Sequence, residues 1–316
     1  MTKKKFIKIV GYVLTTASFI YIFYSLYNVR DDIFALDSLG QIFAICGIFA
    51  VVFITTIYAY GYLLKFNLEF ISNKNLKTSE PIEIFTKSNL CKYLPGSVMQ
   101  FVARNIFAEK IGITQTKMAF SSVIEIFFNV VISLLLCLVF AGGLFVQLAQ
   151  ERIPWDIYII VGIAFCAAAV IAFLILRKMK SFERFKQKVS EQIKDIKLPK
   201  LLGLSIKMLV GISYVHIVAG LMFFYLLRTV TGINDMNIFT VLSAYIIAWL
   251  IGYITPSAPG GIGVKETILS FILMEFYDRE QILVAALLFR VVTITADVLA
   301  FCLYVILKKL ARRIKR

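Results

Sequence analysis

The stretch TPSAPGGIGVKET, residues 255–267, interrupts sequence that is otherwise apolar enough for a membrane interior. It places two prolines and three glycines between the apolar segments 238–255 and 264–276, and the adjacent Lys265 and Glu266 at the start of the second segment. At 1.5 Å per residue, the second segment gives only about 20 Å of helix, which is less than the hydrocarbon thickness. The pattern therefore predicts a re-entrant helical hairpin that turns within the quoted stretch.

Long apolar runs fill most of the remaining chain. Of its 316 residues, 60% are hydrophobic, and runs of the length that a membrane-spanning helix needs recur along it. The sequence predicts an all-α polytopic membrane protein, with 1–316 as a single integral membrane domain. About six full transmembrane helices are expected, with two re-entrant hairpins between them, and eight full spans are the alternative. The six runs are 6–27, 40–64, 118–148, 155–176, 201–227 and 281–307.

Basic residues indicate the orientation of these spans. The 34 Lys and Arg residues gather in the N-terminal tail and in 65–92, 177–200 and 308–316. Because basic loops stay in the cytoplasm, both termini are predicted to be cytoplasmic in a multi-pass protein of the cell membrane. This topology and attraction to anionic lipids account for the net charge of +15, so no nucleic-acid partner is expected.

The basic loop 177–200 also carries apolar residues at spacings of three and four. Such spacing is typical of an amphipathic helix. The helix either extends the fourth span into solvent or lies on anionic lipid, and the sequence leaves both interpretations open. The apolar positions are Phe182, Phe185, Val189, Ile193 and Ile196.

A second proline-glycine corner occurs in CKYLPGSVMQFVARN, residues 91–105. From Pro95 it is 30 residues to Glu125, and from Pro259 it is 31 residues to Arg290. Each charged residue falls in the apolar helix that follows its corner. The nearly equal spacing indicates a weak internal repeat.

The repeat is predicted to be inverted, because the two charged helices run in opposite directions in the expected topology. Its halves are about 40–148 and 201–307. Broken helices that meet in an inverted repeat form the substrate site of many transporters. The corners need residues that turn tightly and, at glycine, allow positive φ. These turn residues are Pro95, Gly96, Pro259, Gly260, Gly261 and Gly263.

Ionisable side chains within the apolar segments are candidates for substrate binding, since burying them unpaired is costly. Pairing that only locks the helices together is the alternative. The glutamates are expected to contact a cationic or hydroxyl-rich part of a headgroup, and the basic residues its phosphate. Glu125 and Arg290 are expected to face each other across the site. The candidates are Arg104, Glu125, Lys265, Glu266, Arg290 and Asp297.

No metal, cofactor or catalytic constellation is expected. His216 is the only histidine, and the five cysteines have neither metal-ligand nor disulfide spacing. His216 is predicted to face the bundle and hydrogen-bond to a neighbour. Because no glycine-rich nucleotide loop follows a strand, the sequence does not favour an enzyme.

Two of these motifs, with the charges that follow them, resemble the lysylphosphatidylglycerol synthase transmembrane region, a family of flippase-like integral membrane proteins. The resemblance covers nearly the whole chain. It is carried by LPGSVMQFVARN with the downstream Glu125, by APGGIGVKE, and by Arg290 of the last helix. The element Pro-Gly-Gly-x-Gly-x-x-Glu is matched at Pro259, Gly260, Gly261, Gly263 and Glu266.

The resemblance implies a transporter that moves lipids with large polar headgroups from the inner to the outer leaflet. Aminoacyl-phospholipids and sugar-bearing lipids are both such substrates, so the implied partners are membrane lipids with anionic or glycosylated headgroups. Full-length synthases carry a cytoplasmic domain that attaches the amino acid, and that activity is not expected from this chain.

Two other functions remain open from the sequence. One is a membrane glycosyltransferase that uses a lipid-phosphate sugar donor. The other is an accessory subunit of an enzyme that synthesises a glycolipid. An enzyme that makes a glycolipid or an aminoacyl-lipid is also an open partner of a transporter. The sequence does not indicate an oligomeric state.

Overall fold

The computed structural model of the protein describes residues 39–93, 99–150, 198–255, 259–261 and 263–314. Within these ranges the regular structure is entirely helical. Two single-turn 3-10 helices, Cys91–Tyr93 and Pro259–Gly261, interrupt it. The α-helices are α1 (Leu39–Ser72), α2 (Ser79–Leu90), α3 (Met99–Glu109), α4 (Gln115–Gln150), α5 (Leu198–Thr231), α6 (Ile238–Ile254), α7 (Val264–Leu273) and α8 (Arg279–Ile314).

Four helices, α1, α4, α5 and α8, are long and apolar enough to cross a membrane. They correspond to four of the six predicted spans, and the predicted all-α membrane class is confirmed. The runs 6–27 and 155–176 lie outside the described residues, as does the predicted amphipathic segment of the basic loop. The total number of spans and the re-entrant insertion stay predictions.

The outward faces of the long helices are apolar. Leu138 and Val139 of α4 are 74% and 72% exposed, and Val210 of α5 and Ile306 of α8 are exposed too. In water such faces would favour aggregation, whereas hydrocarbon solvates them without cost. These surfaces agree with helices that contact lipid.

The same order of elements occurs twice, in 39–150 and in 198–314. Each unit consists of a long helix, a shorter helix, a 3-10 turn, a second short helix and a final long helix. We call α2 to α3 the first hairpin and α6 to α7 the second hairpin. These units lie close to the halves predicted from the spacing of the two corners.

The two hairpins enter the bundle from opposite ends. Lys74 Nζ donates to the Gly112 carbonyl at 3.3 Å, which brings both ends of the first hairpin together. Lys200 Nζ donates to Asn73 Oδ1 at 3.2 Å, so α5 begins at this same end. Its 34 residues extend about 50 Å at 1.5 Å per residue, and they carry the chain to the opposite end before α6 begins. The two units are therefore inverted relative to each other.

An aromatic cluster joins the two units in the core. Phe223 of α5 is fully buried against Phe289 of α8 and Tyr245 of α6, with ring centroids 5.8 Å and 5.9 Å away. Phe53 of α1 packs edge-on against the same Phe289 at 6.2 Å. Offset and edge-to-face ring pairs of this kind stabilise packing beyond the apolar area that they bury. The cluster fixes the helices that surround the central cavity.

Candidate functional site

A cavity of about 200 Å³ lies where the two hairpins meet. The 3-10 turn Cys91–Tyr93 contacts the turn Pro259–Gly261 at its edge. Side chains of both units line the cavity, including all six candidates from the sequence. Its lysine, arginine and carboxylate lining, among the described residues, comprises four basic side chains and three carboxylates: Lys92, Arg104, Lys265, Arg290, Glu125, Glu266 and Asp297.

The first unit contributes a buried ion pair between a short and a long helix. Arg104 of α3 donates from Nη1 to Glu125 Oε2 of α4 at 2.7 Å, and from Nε to Ser88 Oγ at 3.3 Å. The guanidinium also lies 4.8 Å from the ring centroid of Phe85 and 5.3 Å from that of Phe101. Its charge is therefore balanced by one carboxylate and two aromatic faces.

The second unit contributes the corresponding pair with the charges exchanged. Arg290 of α8 donates from Nε and Nη2 to Glu266 Oε1 of α7 at 2.9 Å and 2.7 Å. Its Nη1 and Nη2 also donate to the carbonyls of Gly260 and Gly261, at 3.1 Å and 3.3 Å. Arg290 thereby supplies partners to carbonyls that the broken helix leaves without intrahelical bonds.

Glu266 has a second role at the start of α7. Its Oε2 accepts from the backbone N–H of Gly263 at 2.8 Å, while Oε1 holds Arg290. A carboxylate in the first turn of a helix satisfies free amides and stabilises the positive end of the helix dipole. Both oxygens of Glu266 are consequently engaged within its own unit.

These bonds narrow the roles that the sequence suggested. Glu125 and Arg290, expected to face each other, each pair instead with a short-helix residue of the same unit. Helix periodicity gives the face on which a residue lies but not the element opposite it. Since both arginines already hold carboxylates, Lys265 is the predicted phosphate contact without a described carboxylate partner.

Asp297, the sixth candidate, connects the two units. It lies on α8, is only 2% exposed, and receives bonds from three residues of the first hairpin. Asn89 Nδ2 donates to Oδ1 at 2.6 Å, and the hydroxyl of Tyr93 donates to Oδ2 at 2.5 Å. Lys92 Nζ forms an ion pair with Oδ2 at 2.6 Å. We call this cluster the Asp297 bridge.

Sequence reasoning missed the three donors of the Asp297 bridge. Asn89, Lys92 and Tyr93 directly precede the corner at Pro95, so their place beside a break in the helix was available as a signal. The neighbouring helix α2 is only weakly apolar, and polar residues in such a segment are expected at the surface, so the sequence did not indicate that these three line the cavity.

Lys265 owes its position to two glycines. A Cβ atom at Gly252 would lie 2.6 Å from Lys265 Cγ, and one at Gly261 would lie 2.8 Å from Lys265 Cε. The aliphatic stem therefore occupies the space that side chains at those positions would fill. Its Nζ lies 5.7 Å from the ring centroid of Trp249, and no carboxylate of the described residues is within 4.0 Å.

The turn after α6 has a backbone that favours glycine. Gly260, Gly261 and Gly263 have φ of 61°, 72° and 80°. These values lie in the left-handed region, which costs other residues about 1–2 kcal/mol. Pro259 begins the 3-10 turn, whereas Pro95 and Gly96 of the other corner lie outside the described residues.

His216 is bonded to its neighbours, as predicted. Its Nδ1 bonds to the Ile212 carbonyl and its Nε2 to the Ser133 hydroxyl, both at 2.9 Å. A ring that donates through Nδ1 and accepts through Nε2 is neutral. No group of three His, Cys, Asp or Glu side chains suited to a metal occurs in the described part of the chain.

No curated protein matches the chain. The family model described as the lysylphosphatidylglycerol synthase TM region matches residues 90–300, which is more than half of the 316 residues and includes every ionisable residue of the cavity named above. The resemblance seen in the sequence is thereby confirmed, and the chain belongs to the family of the lysylphosphatidylglycerol synthase transmembrane region.

Proposed function

We propose that the protein is a lipid transporter that holds a polar headgroup in the cavity between its two inverted units. The acyl chains stay in the surrounding lipid, against the apolar outer faces of the long helices. The observation that carries this proposal is the charged cavity itself, built by both hairpins at the point where their helices break.

The physical need for such a cavity follows from the bilayer. A charged or hydrogen-bonding headgroup loses its water when it crosses hydrocarbon, which costs several kcal/mol unless new partners replace that water. A cavity lined by ammonium, guanidinium, carboxylate and hydroxyl groups supplies such partners. Inverted units further allow two similar conformations that open to opposite sides.

The setting of the protein forms part of the same proposal. The distribution of Lys and Arg supports a multi-pass protein of the cell membrane with both termini in the cytoplasm. The substrate then moves from the inner to the outer leaflet, which is the direction that the family resemblance implies. An enzyme that makes the transported lipid is the natural partner.

The test is movement of headgroup-labelled lipid in proteoliposomes. Lipid that reaches the other leaflet is detected by an impermeant quencher, and mass spectrometry of the recovered lipid shows whether it was altered. We expect movement above the rate of protein-free liposomes without chemical change. Altered lipid would favour a glycosyltransferase instead.

A variant that fills the cavity ties this activity to the site. Thr293 of α8 lines the cavity, whereas Val291 on the same helix is 44% exposed on the outer face. Thr293→Trp is expected to reduce movement to the background rate because the indole occupies the headgroup space. Val291→Trp, the matched control, should retain most of the activity. Normal transport by Thr293→Trp would place the pathway elsewhere.

A further inference from the structure

We infer that the cavity selects lipids whose headgroup carries a phosphate and hydroxyl groups but no ammonium. This inference rests on the proposed function and names its substrate class. Phosphatidylglycerol, phosphatidylinositol and glycosyl-phospholipids have such headgroups. Aminoacylated lipids and phosphatidylethanolamine do not, because each carries a cationic nitrogen.

The charges of the cavity carry the first step. All three of its described carboxylates are already bonded to cations, namely Glu125 to Arg104, Glu266 to Arg290, and Asp297 to Lys92. The fourth basic residue, Lys265, has no carboxylate within 4.0 Å among the described residues. The cavity therefore has one basic side chain without a carboxylate partner and no unpaired carboxylate within the described residues, which suits an anion.

Lys265 is also held in place by shape, so its ammonium is already oriented before a ligand arrives. Its stem lies against Gly252 and Gly261, whose missing Cβ atoms leave the space for it. A phosphate that binds there finds the cation without having to order a flexible side chain. Such preorganisation lowers the entropic cost of binding.

Aromatic groups provide the second step. A headgroup ammonium without a free carboxylate would need an aromatic face, as cation–π sites do. Three rings that line the cavity already have a cation beside them: Lys265 Nζ lies 5.7 Å from the centroid of Trp249, Lys92 Nζ lies 5.1 Å from that of Tyr93, and the Arg104 guanidinium lies 4.8 Å from that of Phe85. A second cation beside any of these rings would be repelled by the first.

Tyr253 provides the third step. Its hydroxyl is buried at the cavity and has no hydrogen-bond partner among the described residues. Its ring stacks on that of Trp249, with centroids 4.7 Å apart and planes 13° from parallel. A buried hydroxyl without a partner is costly, and a hydroxyl-bearing headgroup would satisfy it.

Binding can be measured apart from transport by using Trp249 as a reporter. The chain has two tryptophans, so Trp155→Phe leaves Trp249 as the only one. The purified single-tryptophan protein is titrated with dioctanoyl forms of phosphatidylglycerol, phosphatidylinositol, phosphatidylethanolamine and lysyl-phosphatidylglycerol. Glycerol phosphate, which lacks acyl chains, distinguishes a lipid site from a site for a free phosphate ester and should bind more weakly than phosphatidylglycerol.

We expect phosphatidylglycerol and phosphatidylinositol to bind at least about tenfold more tightly than the two ammonium-bearing lipids. Repulsion between two like charges several ångströms apart, at an effective dielectric constant of about 20, weakens binding by at least that factor. Lys265→Gln should remove most of the preference, and Lys265→Arg should retain it. Lys207→Gln is the matched control, since Lys207 lies over Phe66 outside the cavity.

A second variant tests the same idea by adding charge. Gln100 lines the cavity, and Gln100→Glu adds a carboxylate to its lining without removing any existing ion pair. This variant should bind lysyl-phosphatidylglycerol more tightly than the parent protein does. Equal affinity of the parent protein for all four lipids, or an unchanged preference in Lys265→Gln, would overturn the inference.

The outcomes also separate this inference from the proposed transport. Selective binding without lipid movement in proteoliposomes would remove the transport proposal and leave the selectivity standing. Movement of all four lipids at equal rates, with equal binding, would remove the selectivity and leave the transport proposal standing.

Discussion

The two buried ion pairs of the cavity occupy the same place in the repeat with opposite polarity. In the first unit the arginine lies on the short helix and the glutamate on the long one, as Arg104 and Glu125. In the second unit Glu266 lies on the short helix and Arg290 on the long one. The comparison shows that the repeat fixes where a pair lies but not which member carries which charge.

The surroundings of the two arginines differ as well. Arg104 lies near the rings of Phe85 and Phe101, whereas Arg290 donates to the carbonyls of Gly260 and Gly261. Arg290 thus holds its own turn in place in addition to neutralising a carboxylate. The second ion pair is therefore part of the backbone architecture, while the first is mainly a contact between side chains.

The largest effect that would test this difference is loss of Arg290. Arg290→Gln leaves Glu266 buried without its cation, which typically costs about 3–5 kcal/mol. The two released carbonyls add about 1 kcal/mol each. Arg104→Gln should cost about 1–2 kcal/mol less, since it releases no backbone carbonyl. Unfolding in mixed detergent micelles measures both, and equal costs would break the comparison.

The turn that Arg290 holds should be sensitive to an added methyl group. Gly261→Ala places a Cβ 3.2 Å from the Gly252 carbonyl oxygen at a φ of 72°. We expect a loss of about 3 kcal/mol from the strained backbone and the close contact. Gly263→Ala meets nothing within 4 Å and should lose only the conformational part, about 1–2 kcal/mol.

A helical glycine provides the control for these two variants. Gly203 of α5 also meets nothing within 4 Å, so Gly203→Ala should be neutral or stabilise by up to about 1 kcal/mol. The same unfolding measurement applies to all three. Equal stability of the Gly261 and Gly203 variants would mean that the turn tolerates ordinary residues.

Exchanging the charges of each pair sharpens the comparison further. Arg104→Glu with Glu125→Arg keeps a carboxylate beside a guanidinium and should recover most of the stability that either single change loses. Glu266→Arg with Arg290→Glu should remain about 2 kcal/mol less stable, because a glutamate cannot donate to Gly260 and Gly261. Equal recovery in the two double variants would show that the carbonyl contacts contribute little.

Two tyrosines of the cavity compare a bonded hydroxyl with one that has no described partner. Tyr93→Phe removes a hydrogen bond to the Asp297 carboxylate and should cost about 1.5–3 kcal/mol. Tyr253→Phe removes a buried hydroxyl without a described partner, so stability should change by less than about 0.5 kcal/mol. The affinity of Tyr253→Phe for phosphatidylinositol, measured by the tryptophan titration, should nevertheless be lower than that of the parent protein. A stability loss as large as that of Tyr93→Phe would reveal a partner for Tyr253.

Much of the fold could be predicted from local sequence. The lengths of the apolar runs predict α1, α4, α5 and α8, because the thickness of a bilayer fixes the helix length that it selects. The nearly equal distances from Pro95 to Glu125 and from Pro259 to Arg290, 30 and 31 residues, indicated two residues that both line the cavity. Equal spacing along the chain places residues at equivalent positions when the elements between them have the same order, as they do in the two units.

The partners within the site could not be predicted in the same way. Whether Arg290 bonds to Glu125 or to Glu266 depends on the rotation and depth of α7, which no local pattern specifies. The donors of the Asp297 bridge also come from the first hairpin, which precedes their target by about 200 residues of chain, as for Asn89 and Asp297 at a separation of 208. Such long-range pairs follow from packing rather than from periodicity.

The Asp297 bridge has a consequence for the rate at which the two units separate. The first hairpin is tied to α8 there, and again where Tyr304 and Lys308 both donate to Glu83 Oε2 at 2.5 Å. Between the second hairpin and α4, by contrast, the ring of Phe239 stacks on Phe140, and no ion pair of the described residues joins them. Apolar contacts between aromatic and aliphatic side chains can shift in small steps. Charge-assisted hydrogen bonds, in contrast, must break before water or a ligand can replace the lost partner. The slow step of any opening motion is therefore expected on the Asp297 side, and the opposite side sets how far the units travel.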